Sequence, residues 1–141
     1  VHHEFSLEKT LGLKKDHPQA KILAHPECRK PILLVADYIG STTELLKFSS
    51  TDKATEYIIV TESGILHKMK QMSPYKTFYP APSDDPNCMC SDCNFMKLNT
   101  LEKIYSCLKN EKPEIVLDAG LSVRTLLPIK RMLEISEKLG I

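Results

Sequence analysis

Four short apolar segments alternate with segments whose apolar residues recur at helical spacing. The strand-like segments cover residues 21–24, 37–39, 57–60 and 76–79. Strands that are separated by helices pair in parallel, because the intervening helix carries the chain back across the sheet. A parallel sheet in turn needs helices on both of its faces. The alternation therefore predicts an α/β fold, in which a short parallel sheet lies between two helical layers in a three-layer αβα arrangement.

The helices are predicted from caps, chain breakers and apolar spacing. Ser6 caps a helix that runs to about Lys15, and Asn99 or Thr100 caps one that runs to Leu108. Further helices are predicted over residues 29–36, from 41 or 42 to 48, over 65–72, and from about 127 to 139. In the last helix, the side chains predicted to face inward are those of Met132, Leu133, Ile135 and Leu139.

A polar segment follows each predicted strand. These segments are residues 25–27, 40–42, 61–64 and the loop that contains Cys88, Cys90 and Cys93. Open parallel sheets bind ligands beyond the carboxyl ends of their strands. We therefore expect the functional site at this edge of the sheet.

His25 and Glu27 flank Pro26 directly after the first strand. The proline biases His25 towards an extended backbone, in which side chains two residues apart can point to the same side. The pair could therefore supply a proton donor and a proton acceptor to one ligand. A histidine that is merely satisfied by its neighbour near a turn fits the local sequence equally well.

Three further polar features have an ordinary structural interpretation that the local sequence favours. The turn of Gly40, Ser41 and Thr42 suits a phosphate or carboxylate, yet it is also a normal helix N-cap. Glu62 is best explained as part of a helix start, and His67 as a residue on a helix surface.

Three of the five cysteines, Cys88, Cys90 and Cys93, fall within six residues. A structural zinc site needs four ligands, usually as two pairs, whereas iron–sulfur clusters accept cysteines from distant parts of a chain. Cys107 lies on a predicted helix, where a small buried hydrophobe is the usual role, and neither it nor Cys28 is assigned as a ligand. The odd cysteine count favours metal binding in a reducing compartment, so we expect a cytoplasmic protein.

Charge and hydropathy exclude two classes of partner. The 19 basic and 18 acidic residues give a net charge of +1, which does not favour nucleic acid or an anionic membrane. The longest apolar run, residues 32–36, is far shorter than the ~20 residues that span a bilayer.

Because the chain starts at Val1 rather than Met, we expect it to be a fragment.

Five motifs, in this order along the chain, closely resemble those of the quinolinate synthase family. They are KILAHPEC at residues 21–28, ADYIGST at 36–42, IVTESG at 59–64, CNFMKLNTLEK at 93–103 and KRMLEI at 130–135. The resemblance runs from His2 to at least Ile135 and covers only the C-terminal part of that enzyme.

The resemblance implies three similar αβα domains around a central [4Fe–4S] cluster, to which each domain contributes one cysteine while the fourth iron stays open. Residues 1–17 would end the preceding domain, 18–112 would form the third domain, and 113–141 would form helices that pack on the missing first domain. The family condenses iminoaspartate with dihydroxyacetone phosphate to quinolinate in NAD biosynthesis, with the open iron as a Lewis acid for dehydration. Such a fragment is expected to be inactive alone.

By the same resemblance, Cys93 is the cluster ligand of this domain, and the cysteine of the middle domain lies just before Val1. Glu27 is the acid/base that faces the open iron and His25 is its hydrogen-bonding partner, while Ser41 and Thr42 anchor the substrate. Partners implied are the missing N-terminal domains and L-aspartate oxidase as the pathway supplier.

The roles of Cys88 and Cys90 stay open. They resemble accessory thiols that could protect or tune a cluster through a disulfide, but a disulfide across one residue is strained, which favours a role in lining the loop only. The rival hypothesis for the whole chain is a non-enzymatic zinc module. In it, Cys88, Cys90 and Cys93 bind zinc together with Cys107 or a histidine.

Overall fold

The computed structural model describes residues 1–84 and 92–140, and its first part is built on one parallel sheet. The strands are β1 (Lys21–Ala24), β2 (Tyr38–Ile39), β3 (Glu56–Val60) and β4 (Thr77–Pro80). The helices are α1 (Leu7–Asp16), α2 (Lys30–Leu33), α3 (Thr42–Thr51), α4 (Ile65–Met72), α5 (Leu101–Asn110) and α6 (Ala119–Leu139), with a short 3₁₀ helix at Met96–Leu98. The predicted alternation of strands and helices is confirmed.

The strands lie in the order β2-β1-β3-β4, and every neighbouring pair is parallel. Ala24 at the end of β1 is in register with Ile39 of β2 on one side and with Val60 of β3 on the other. The chain passes from β1 to β2 on one side and then returns to the other side of β1 to form β3. The point at which the strand order reverses therefore lies between the carboxyl ends of β1 and β3, where ligands bind in open parallel sheets.

Both faces of the sheet are covered, as the sequence predicted. Side chains alternate across a strand, so Ile22 and Ala24 pack on one face and Leu23 packs on the other. The first face contacts apolar residues of α1 and α2, and the second contacts those of α3 and α4. The result is a three-layer αβα arrangement that holds the strand ends, and the residues that follow them, on a rigid base.

Helix caps explain two predicted helix starts that are right and one that is wrong, while α2 is shorter than the predicted 29–36 and α3 continues past residue 48 to Thr51. Ser6 and Thr100 cap α1 and α5 as predicted, each accepting a hydrogen bond from the backbone N–H three residues on. The last helix begins at Ala119 rather than near residue 127, because the Asp118 side chain accepts from the Leu121 N–H at 2.8 Å and starts the helix there. Pro128 therefore lies inside the helix.

The described residues form two compact units, Val1–Leu98 and Asn99–Ile141. The apolar side chains predicted to face inward on α6 are 43 to 67 % exposed, so that prediction is wrong for this chain. A unit of two helices is too small to bury such a face by itself. The predicted division into residues 1–17, 18–112 and 113–141 stays a prediction. Among the described residues, no helix has the length and hydropathy needed to cross a membrane.

Candidate functional site

The site is at the carboxyl edge of the sheet, where β1 and β3 end side by side. His25 follows β1 and donates its backbone N–H to the Val60 carbonyl at 3.1 Å, which fixes the start of the next turn against β3. Thr61 follows β3 and is buried. His25 and Thr61 thus lie on the two sides of the point where the strand order reverses.

The turn after β1 brings His25 and Glu27 together. The Cys28 N–H donates to the His25 carbonyl at 3.0 Å, and the Glu27 N–H donates to His25 Nδ1 at 3.3 Å. Glu27 Oε2 lies 4.0 Å from the same nitrogen. The Glu27 side chain is 71 % exposed whereas that of His25 is 17 % exposed. A ligand can therefore reach the carboxylate directly, whereas the imidazole is largely covered behind it.

His2 completes the cluster, although no local sequence pattern indicates it as a site residue. Its Nδ1 lies 2.9 Å from Glu27 Oε2 and its Nε2 lies 3.0 Å from Thr61 Oγ1. Its ring stacks on that of His25, with centroids 4.1 Å apart and planes 5° from parallel. Since an ionised carboxylate only accepts hydrogen bonds, the proton is assigned to His2 Nδ1. His2 therefore connects Glu27 to the end of β3.

Contacts within the cluster lower the pKa of both Glu27 and His25. The hydrogen bond from His2, and then the charge of that ring, lower the pKa of Glu27. Burial is the main cause that lowers the pKa of His25, followed by the charge of His2, while Glu27 opposes the shift. Near neutral pH the site therefore holds an exposed carboxylate beside a neutral imidazole, which is a proton acceptor next to a hydrogen-bonding group.

Cys93 is held beside the end of β3 by a second set of contacts. Its backbone N–H donates to Glu62 Oε1 at 3.5 Å, and Glu62 Oε2 accepts from the Gly64 N–H at 2.8 Å. The Ser63 hydroxyl donates to a carboxylate oxygen of Asp92. The thiol of Cys93, in a half-buried residue, therefore belongs to the same edge of the sheet as Thr61.

The chain is similar in sequence to known proteins over most of its length. The family model described as quinolinate synthetase A protein matches residues 1–134. The chain belongs to the quinolinate synthetase A family. Three curated quinolinate synthases illustrate the similarity. The chain is 50 % identical over 136 residues to that of Thermosynechococcus vestitus, 51 % over 136 to that of Microcystis aeruginosa, and 50 % over 137 to that of Chloroherpeton thalassium.

These matches include 96 to 97 % of this chain but only 42 to 43 % of each relative. The chain thus spans less than half the length of the quinolinate synthases that it matches.

The thiols of this quinolinate synthetase A family chain differ in their ability to bind a metal. Cys28 is buried, donates its S–H to the Val60 carbonyl at 3.4 Å, and has its pKa raised by burial to about 11. Cys107 is exposed on α5, in the other compact unit. Cys88 and Cys90 lie outside the described residues. Among the described thiols near the end of β3, Cys93 is therefore the one that is not buried, and it fits a single ligand of a cluster whose other thiolates would come from elsewhere in the protein.

The turn after β2 has the capping role that the local sequence favoured. The Ser41 hydroxyl accepts from the Glu44 N–H at 3.4 Å, while the Ser41 N–H donates to the Glu44 carboxylate at 2.7 Å. This reciprocal pair is a capping box. Thr42 is the first residue of α3 and is exposed. An anionic ligand at Ser41 would have to displace the Glu44 carboxylate.

Glu62 and His67 also match their structural interpretations. Glu62 accepts the Gly64 N–H at the start of α4, and His67 is exposed on that helix. Glu62 has a further contact with the Cys93 backbone that the sequence did not indicate.

Replacing His2 by alanine is expected to raise the pKa of Glu27. In the native protein His2 lowers this pKa through a hydrogen bond and through its charge, and alanine removes both. The carboxylate of the variant therefore takes up a proton at higher pH than that of the native protein. Carbon-13 NMR of the labelled Glu27 carboxyl during a pH titration measures the shift. His67→Ala is the control, and an equal Glu27 pKa in the native protein and His2→Ala would contradict the role of His2.

Proposed function

We propose that the protein to which this chain belongs is a quinolinate synthase, which condenses iminoaspartate with dihydroxyacetone phosphate to quinolinate in NAD biosynthesis. The observation that carries the proposal is the His2–Glu27 contact next to His25, at the reversal point of the sheet. It supplies an ionised, accessible carboxylate where a ligand of an open parallel sheet is expected. Residues 18–112 are, in this proposal, one of three similar domains.

Mass balance defines what the acid–base groups have to do. Joining the two substrates into quinolinate releases one phosphate and two water molecules, and the loss of water requires proton transfers. Glu27 is exposed and its pKa is lowered, so it is suited to accept a proton from the substrate and to return it to a departing hydroxyl. His25 has its Nδ1 directed to the Glu27 N–H, so its other ring nitrogen carries the proton and can donate to a substrate oxygen.

Cys93 would hold one iron of a [4Fe–4S] cluster, and the other two cysteine ligands would come from the rest of the protein. When bound, the cluster supplies a Lewis-acidic iron that helps a substrate hydroxyl to leave. Glu62 contacts the Cys93 backbone and Ser63 contacts the side chain of Asp92, so both hold the segment that carries Cys93 against the β3–α4 turn.

Ser41 and Thr42 are proposed to contact the anionic end of the substrate, with the Glu44 side chain moving away from the Ser41 N–H on binding. In this proposal the protein works in the cytoplasm, and L-aspartate oxidase supplies its iminoaspartate. The remaining substrate contacts come from the domains that this chain does not contain, so the chain alone is expected to be inactive.

Anaerobic purification of the full-length protein tests the proposed function. We expect iron and acid-labile sulfide in equal amounts, and formation of quinolinate from iminoaspartate and dihydroxyacetone phosphate. This chain produced alone serves as the control and should form none. Stoichiometric zinc bound through sulfur, without sulfide, would instead support the non-enzymatic zinc module of Cys88, Cys90 and Cys93.

A further inference from the structure

His2, His25 and Glu27 form a group of metal-ligating side chains that contains no sulfur. Each residue offers one ligand atom, and the three atoms all lie within 4.8 Å of one another. Two imidazole nitrogens and one carboxylate oxygen, with the fourth position left to water, form a common ligand set of catalytic zinc sites. The chemistry of the donors therefore points to a transition-metal ion of the zinc class.

We propose that His2, His25 and Glu27 bind one Zn²⁺ ion at the carboxyl edge of the sheet. Ligand atoms of a tetrahedral ion with bonds of about 2.0 Å lie roughly 3.3 Å apart. The 2.9 Å between His2 Nδ1 and Glu27 Oε2 and the 4.0 Å between His25 Nδ1 and Glu27 Oε2 lie on either side of that value. Small side-chain movements bring these atoms to one ion. On binding, His25 Nδ1 gives up the hydrogen bond from the Glu27 N–H. His2 keeps one proton, on Nε2, where it donates to Thr61 Oγ1.

The surroundings of His2 support this assignment. Zinc-binding histidines usually engage their second ring nitrogen in a hydrogen bond that fixes the ring orientation. His2 Nε2 lies 3.0 Å from the hydroxyl of Thr61, a residue that is only 1 % exposed. The hydroxyl therefore comes from a fixed position at the end of β3, and Nδ1 is the nitrogen left for the ion.

The accessibility of the three ligands indicates which of them move. Glu27 is exposed, so its side chain can rotate and water can complete the coordination. The two rings are nearly parallel, so one has to tilt before both nitrogens point to the same ion. The Thr61 contact holds His2, which makes His25 the ring that tilts. The binding of zinc and of a substrate to these groups would be mutually exclusive.

Isothermal titration of the full-length protein with zinc sulfate, followed by X-ray absorption at the zinc edge, tests the site. We expect a zinc shell of nitrogen and oxygen at about 2.0 Å with an imidazole signature. His2→Ala and Glu27→Gln should each weaken binding at least about tenfold, and Thr61→Val about tenfold, because the loss of a hydrogen bond behind a ligand costs at least that factor. His67→Ala, at an exposed position on α4, is the matched control.

A sulfur shell at about 2.3 Å would place the ion on the cysteines and overturn the proposal. Unchanged affinity in Glu27→Gln would overturn it as well, and because this side chain is exposed, the variant keeps the test valid if His2→Ala fails to fold. These readouts need no quinolinate formation. Failure of the zinc site and failure of the proposed enzyme are thus separate results.

Discussion

Replacing Cys93 by alanine in the full-length protein is expected to abolish cluster assembly. Alanine has no ligand atom, and a [4Fe–4S] cluster held by three cysteines loses one of three protein bonds. Iron, acid-labile sulfide and the visible absorption of the anaerobically purified variant should fall to background, and quinolinate formation should be lost with them. Far-ultraviolet circular dichroism should stay the same, since the side chain of Cys93 is outside both hydrophobic clusters.

Two cysteine variants serve as controls for this result. Cys107→Ala changes an exposed residue of α5 and should keep full iron and sulfide content. Cys88→Ala should also retain the cluster if Cys88 only lines the loop. If Cys88→Ala loses the cluster and Cys93→Ala keeps it, the choice of ligand is wrong.

Glu27→Gln is expected to lower kcat by about 100- to 10,000-fold while iron and sulfide content stay unchanged. Glutamine is nearly isosteric with glutamate but does not exchange protons, and general acid–base catalysis contributes a factor of this size. Steady-state kinetics on protein with a measured cluster content is the appropriate test. Because the Glu27 side chain is exposed, the substitution should leave the fold unchanged.

Glu137→Gln, an exposed glutamate on α6, is the control for Glu27→Gln. It removes the same charge from the protein but at a different surface, so kcat should not change. Full turnover by Glu27→Gln with an intact cluster would show that another group performs the proton transfer.

The parallel sheet and the position of the site were predictable because they depend on local patterns. Strands β1 and β3 were recognised from continuous apolar runs, and the polar residues after them had to lie at one edge once the strands were parallel. His25 and Glu27 lie at that edge in the structure, directly after β1. Their roles, together with those of Ser41, Thr42 and Cys93, remain predictions that the variants above test.

His2 could not be predicted from local pattern. It belongs to no strand or helix. Its partners Glu27 and Thr61 lie 25 and 59 positions further along the chain. The adjacent histidines at positions 2 and 3 were the one available signal, and that pair is equally typical of an exposed segment. The predicted start of α6 is wrong for a different reason. Asp118 caps the helix well before Pro128, and the helix continues through that proline.

The fold class, the succession of strands and helices along the chain, and the family follow from residue types at fixed spacing in the sequence. Which groups meet at the site, and the order of the strands within the sheet, depend on tertiary packing. Packing of β3 beside β1 brings Thr61 next to the turn of His25 and Glu27. The segment before α1 contributes His2, whose ring stacks on that of His25 although the two residues are 23 positions apart in the chain. The physical reason is that side-chain contacts depend on how the layers pack, and no local propensity encodes a distance between residues so far apart in the chain.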